Sequence, residues 1–150
     1  MARLMVCFVA LLSLSACMTT QVKLDVQATD NINLNKFDEP LPVVLKVYQL
    51  TDVQAFRNAT FEQLWKEDRS ILASSLITVE ERTINPSERL KINFERADSA
   101  KYVGFVALFR ERTDGKWRTY YDLNDWPVPL STSLDIEVQS NALHVPGAED

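Results

Sequence analysis

Cysteine is nearly absent from this chain. Its 150 residues hold two, Cys7 and Cys17, both within the first 17 positions, so the other 133 can build neither a disulfide framework nor a thiolate metal site. Glycine is scarce as well. Gly104, Gly115 and Gly147 are the full complement, and none belongs to a G-x-G-x-x-G or P-loop pattern, which argues against nucleotide chemistry. Basic residues fall short of acidic ones, 16 against 21, for a net charge of −5 and a pI near 4.9. Such a balance supplies no basic stripe, so DNA and RNA are not expected partners. What remains is ordinary: 46% apolar and 25% charged residues, the mixture of one globular domain.

The first 16 residues read as an address rather than as fold. Arg3 is the charged leader, Leu4 to Leu12 is apolar, and small residues follow. The apolar run is too short to span a bilayer, which needs roughly 20 residues. This is the layout of a secretory signal peptide. Leu14-Ser15-Ala16-Cys17 matches all four positions of a lipobox, the bacterial signal for diacylating the cysteine thiol, cutting before it and acylating the new amine. The expected organisation is therefore a signal peptide at 1–16, a lipidated Cys17 with a short tether at 17–21, and a domain over 22–150. Met18 rather than aspartate follows the cysteine, which directs such lipoproteins to the outer membrane, facing the periplasm. Cleavage removes only Arg3 among the charges. Fifteen basic groups then face 21 acidic ones, and anchoring falls to the lipid rather than to headgroup attraction.

Beyond the tether the chain reads as β-structure. Val22, Leu24, Val26 and Ala28 alternate with Lys23, Asp25 and Gln27, as in a half-buried strand. Residues 43–50 are apolar enough for a central strand buried on both faces. Strands are expected also at 76–84, 89–94, 102–112, 116–122 and 132–139, seven in all. Asn85-Pro86-Ser87-Glu88 and Thr113-Asp114-Gly115 supply turns. Between the second and third strands lies a short helical insertion. Thr51-Asp52 can cap a helical turn, and Thr60 with Gln63 makes a capping box opening a helix. Phe61, Leu64 and Trp65 of that helix are expected to pack on a sheet while Glu62, Lys66, Glu67 and Arg69 stay wet. Seven short strands with turn signals between them imply a mainly β, two-sheet sandwich.

Catalytic candidates are few. His144 has no serine or cysteine nucleophile motif to serve and reads as a solvated tail residue. Glu80 and Glu81 are neighbours on a strand and point to opposite faces. Asp122 and Asp125 could form an acid pair or a Ca²⁺ loop, with turn capping as the simpler reading. Arg110, Arg112, Lys116 and Arg118 gather on one hairpin, suited to a phosphate or a partner's carboxylates, or merely to a solvated, aggregation-resistant edge. Asn58-Ala59-Thr60 matches a glycosylation sequon, without meaning in a bacterial lipoprotein. No enzyme, metal, cofactor or small-molecule substrate is expected.

Surfaces then matter more than chemistry. The first strand starts beside the lipid and runs roughly 23 Å, so the loop it feeds, Asp30 to Pro42, lies at the membrane-distal tip. Ile32, Leu34, Phe37 and Leu41 punctuate that loop among Asn33, Asn35, Lys36, Asp38 and Glu39. Phe37 among charges either docks a partner or folds back as a plug over the end of the sandwich.

Three blocks carry a resemblance: Pro42-Val43-Val44-Leu45-Lys46-Val47-Tyr48-Gln49-Leu50, then Ala55-Phe56 with Ala59-Thr60-Phe61-Glu62-Gln63-Leu64-Trp65, then Tyr102 to Arg110 with Trp117-Arg118. In their order and spacing they resemble the TssJ (SciN-type) lipoprotein family of the bacterial type VI secretion system, over about Asn31 to Arg118. The resemblance implies a transthyretin-like β-sandwich with added helix. It also implies binding to the periplasmic C-terminal region of the inner-membrane protein TssM through the loop between the first two strands. Leu34, Asn35, Lys36, Phe37, Asp38 and Glu39 are the residues placed there. Where the family carries a glycine, this loop has Phe37-Asp38-Glu39. The alternatives are a lipoprotein of another outer-membrane assembly machine, a periplasmic ligand-binding sandwich, or a periplasmic hydrolase using Asp122 and Asp125.

Overall fold

Apolar residues recurring every second position dictate the first strand, β1 (Gln21–Ala28), in which Val22, Leu24 and Val26 are buried. The protein is described here from a computed structural model over residues 19–112, 116–124 and 131–150. Seven further strands follow: β2 (Val43–Leu50), β3 (Leu76–Ile84), β4 (Arg89–Glu95), β5 (Tyr102–Ala107), β6 (Arg118–Asp122), β7 (Thr132–Gln139) and β8 (Ala142–His144). They form two four-stranded sheets, ordered β4-β1-β7-β8 and β3-β2-β5-β6. All pairings are antiparallel except β1 with β7, which run parallel with Val22 beside Thr132 and Ala28 beside Val138. Leu24, Val26, Ile92, Leu134 and Ile136 of one sheet meet Leu45, Val47, Val103 and Phe105 of the other in the main core. The molecule is a mainly β, two-sheet sandwich.

The outer face of the second sheet carries the helical insertion, α1 (Gln54–Asn58), α2 (Phe61–Lys66), α3 (Asp68–Leu72) and a 3₁₀ turn at Ala73–Ser75. Tyr48, Leu50, Val106 and Tyr120 pack there against Phe56, Leu64 and Leu72 in a second core. Gly104 makes this approach close. A Cβ at that position would stand 3.0 Å from the Phe56 ring, so the missing side chain lets α1 settle onto β5.

Several expectations need correction. Among the described residues there are eight strands rather than seven, since β8 follows β7 through a turn at Ser140, whose φ is 47°. Three residues are too few to show a period, and His144 is therefore a strand residue opposite Glu137 rather than part of a free tail. β5 ends at Ala107 instead of 112: the Leu108 N–H still donates to the Val44 carbonyl in register, but the Phe109 N–H turns back to the Ala107 carbonyl and the chain leaves the sheet. The helical turn expected after Thr51-Asp52 is α1, with the Gln54 N–H donating to Asp52 Oδ1 at 2.8 Å, whereas the helix expected from Thr60 is split into α2 and α3. The capping box at Thr60 and Gln63 is present, but α2 ends at Lys66. Of its apolar stripe only Leu64 is fully buried, whereas Trp65 is 46% exposed. The Thr113-Asp114-Gly115 turn and residues 125–130, including Asp125, lie outside the described residues, as do residues 1–18.

Candidate partner-docking site

The strand directions give the sandwich two poles. At one, the Thr20 carbonyl accepts from the Arg96 N–H and the Gln21 N–H donates to Ser131 Oγ, so the chain enters the domain here. β1 then carries it eight residues, roughly 26 Å, to the opposite pole. There the Thr29 N–H donates to the Val138 carbonyl, and the Thr29 carbonyl accepts from Ser87 N–H. The loop over residues 30–42 therefore stands at the end of the sandwich remote from the N-terminal entry.

Within the loop, base and tip play different parts. Ile32 is fully buried in the main core, so it is a plug rather than a docking residue. Asn33, 6% exposed, is the knot beside it. Its side-chain amide donates to the Pro42 carbonyl (2.8 Å), its oxygen accepts from the Arg110 N–H (2.9 Å), and its own N–H donates to the Ser140 carbonyl (2.6 Å). Asn33 also sits at φ 50°, a left-handed conformation that asparagine tolerates better than most residues.

Above this knot, Asn35 organises the tip. Its side-chain oxygen accepts from the N–H groups of Phe37 (2.8 Å) and Glu39 (3.1 Å), while its amide donates to Glu39 Oε2 (2.7 Å). The Asn35 carbonyl accepts from the Asp38 N–H, closing a turn. Asp38 has φ 59°, so aspartate takes the left-handed position that a glycine would otherwise supply. Leu34 and Asn35 are half-buried; Lys36, Phe37, Asp38 and Glu39 are exposed. Phe37 is 68% exposed, with the Lys36 ammonium 4.9 Å from its ring centre. It does not fold back over the sandwich. The loop thus presents one aromatic ring on a hydrogen-bonded platform, and such pre-ordered aromatics lose little entropy on binding.

The other sequence candidates are put to structural use. Arg112 donates to the Phe109 and Arg110 carbonyls and stacks 3.9 Å above the Phe61 ring. Arg118 reaches inward to the Phe56 and Ala59 carbonyls. Burial and the neighbouring Arg57 both hold its guanidinium below the ordinary value. Lys116 stands apart from these arginines, on the wall of an open cleft beside Thr119, Glu137 and His144. Asp122 accepts from the Asn124 N–H at 2.7 Å, the turn-capping arrangement. Glu80 pairs with Arg82 and Glu81 with Lys46.

One buried charged cluster carries no signal in the sequence. Lys46, 4% exposed in the middle of β2, extends its ammonium beneath the end of α2. It donates to Asp68 Oδ2 (2.9 Å) and to the carbonyls of Leu64 (3.2 Å) and Trp65 (3.1 Å), and the Tyr48 hydroxyl donates to the same Asp68 oxygen (3.1 Å). Burial alone would raise the Asp68 carboxyl. Hydrogen bonding to Lys46 and its charge, with the Arg69 N–H and the Tyr48 hydroxyl, outweigh this and hold it below the usual range. Burial and the adjacent Asp68 push the Tyr48 hydroxyl up, so it stays protonated. The cluster fastens the helices to the sheet.

Comparison with known proteins agrees with this architecture. The family model described as Type VI secretion lipoprotein, VasD, EvfM, TssJ matches residues 20–141. The T6SS lipoprotein TssJ1 from Pseudomonas aeruginosa superposes with a TM-score of 0.79 at 26% identity, over 88% of this chain and 98% of that one. A chain of a type VI membrane complex matches at 0.76 and 29% identity, over 85% and 98%. A chain in a structure of the T6SS protein TssM C-terminal domain from EAEC matches at 0.69 and 25%, over 83% and 96%. No curated relative matches by sequence. With the family model covering most of its length and the sandwich shared with TssJ1, the chain belongs to the type VI secretion lipoprotein family that includes TssJ.

Proposed function

We propose that this lipoprotein is held in the outer membrane by acyl chains on Cys17 and tethers the secretion apparatus by binding the periplasmic C-terminal region of TssM. The role is mechanical, not catalytic. The lipobox provides the greasy end, with roughly 0.8 kcal/mol per buried methylene making the anchor effectively permanent. The sandwich is a stiff spacer, and the exposed Phe37 tip is the gripping end. Confinement of both partners to the envelope raises the effective concentration, so a modest intrinsic affinity suffices.

The observation that carries this reading is the position of the loop. Phe37 is 68% exposed at the pole opposite the Thr20 entry, on a platform fixed by Asn33 and Asn35. The occurrence of chains with this fold in a type VI membrane complex and in a structure of the TssM C-terminal domain supports TssM as the partner. The test combines calorimetry of the protein against the TssM periplasmic domain with fractionation and secretion assays of Cys17→Ser. The expected results are saturable binding, and a Cys17→Ser protein that stays folded but leaves the membrane and stops secretion. Absence of binding, or normal secretion by the unanchored variant, would refute the tether.

A further inference from the structure

Trp65 is, among the described residues, the other large apolar side chain left in solvent, and it is held there by construction. Its carbonyl accepts from the buried Lys46 ammonium at 3.1 Å, one residue before α2 ends at Lys66, which fixes the backbone from below. Its ring has the Phe61 ring at 6.0 Å and the Lys66 ammonium at 4.5 Å. Phe61 in turn packs edge-on to Trp117 at 5.2 Å and lies under the Arg112 guanidinium at 3.9 Å. An aromatic ridge with ordered neighbours has the composition of a binding hot spot; of its two flanking cations, Lys66 is already paired with Glu62 at 2.6 Å, which leaves Arg112 as the charge on offer.

The ridge is continuous with the loop site. Asn33 binds the Arg110 N–H, the Arg110 carbonyl accepts from Arg112, and Arg112 covers Phe61. Charge sets the chemistry of what would sit there. The chain is acidic overall, yet among the described residues no carboxylate lies within ion-pair distance of Arg112. Arg118, stacked 4.9 Å from the Trp117 ring, donates to the Phe56 and Ala59 carbonyls, with the Asp150 charge acting on it from farther off.

We infer that the Phe61–Trp65–Trp117 ridge, with Arg112 on its border, is a second contact for the same TssM domain, engaged by an acidic segment of it that inserts an apolar side chain beside Trp65. This rests on the TssM reading above. Two contacts on one rigid body fix the partner's orientation as well as its affinity, which a single loop does poorly.

The test uses full-length lipidated protein in detergent, titrated with the TssM periplasmic domain. Trp65→Ala is expected to weaken binding about tenfold, Trp65→Phe to restore most of it, and melting temperatures to stay close to the parent. Combined with Phe37→Asp, the loss should approach the product of the two single losses. Arg112→Gln should flatten the fall in affinity between 0.1 and 0.5 M salt. Binding by the parent that weakens in Phe37→Asp but stays within twofold in Trp65→Ala would overturn the second contact and leave the loop site standing. No binding by the parent would overturn both.

Discussion

The backbone N–H of Arg110 donates to the side-chain oxygen of Asn33 at 2.9 Å, joining the β1–β2 loop to the segment that follows β5 across 77 residues of sequence. The same asparagine also binds the Pro42 carbonyl. One buried amide thereby holds the base of the loop while its tip remains in solvent. Asn33→Ala removes both bonds and leaves a buried donor and acceptor without partners. It should cost about 1–3 kcal/mol in urea unfolding and weaken TssM binding through the loosened tip. Lys36→Ala, on the exposed side of the same loop, should change stability by no more than about 0.5 kcal/mol.

The Lys46–Asp68 pair predicts a pH dependence. The Asp68 carboxyl is held below its ordinary value of 3.8 in the folded state. Its contribution is therefore complete above that value and drains away as pH falls through the lower folded one. Asp68→Asn removes the charge and strands the Lys46 ammonium, with the more exposed Glu81 as its remaining carboxylate at 3.3 Å. A loss of about 3 kcal/mol at neutral pH is expected. Urea titrations from pH 5 to 2.5 should show a shallower acid slope in the variant than in the parent. Parallel slopes would mean that Asp68 does not carry the acid sensitivity.

Gly104 and Phe56 form the tightest point of the helix–sheet contact. Gly104→Ala places a methyl 3.0 Å from the Phe56 ring and should destabilise by about 1–3 kcal/mol. Phe56→Leu relieves the crowding, so the double variant should be more stable than the sum of the single losses predicts. A double-mutant cycle by chemical denaturation gives the coupling directly.

The strands were legible where one face is buried. The period of Val22, Leu24 and Val26, and that of Leu134, Ile136 and Val138, predicts β1 and β7 closely, yet neither period says that the two run parallel side by side. That pairing joins segments more than a hundred residues apart, and only the closed core selects it. The capping box at Thr60 was readable because both partners are local. Lys46 and Asp68 were not, because a lysine in an apolar strand gives no hint of the carboxylate that will meet it 22 residues later. For the loop, the charged neighbours singled out Phe37, but composition said neither whether it faces outward or folds back nor which position would turn left-handed. Ile32 faces the core and Asp38 takes the turn, which fixes Phe37 outward.

The most direct measurement is calorimetry of the TssM periplasmic domain against Phe37→Asp, with thermal melting of the same variant alongside. Since Phe37 touches solvent rather than core, the melting temperature should match the parent while affinity falls at least tenfold, about 1.4 kcal/mol. Affinity equal to that of the parent, in a variant equally well folded, would contradict the tip as the gripping end.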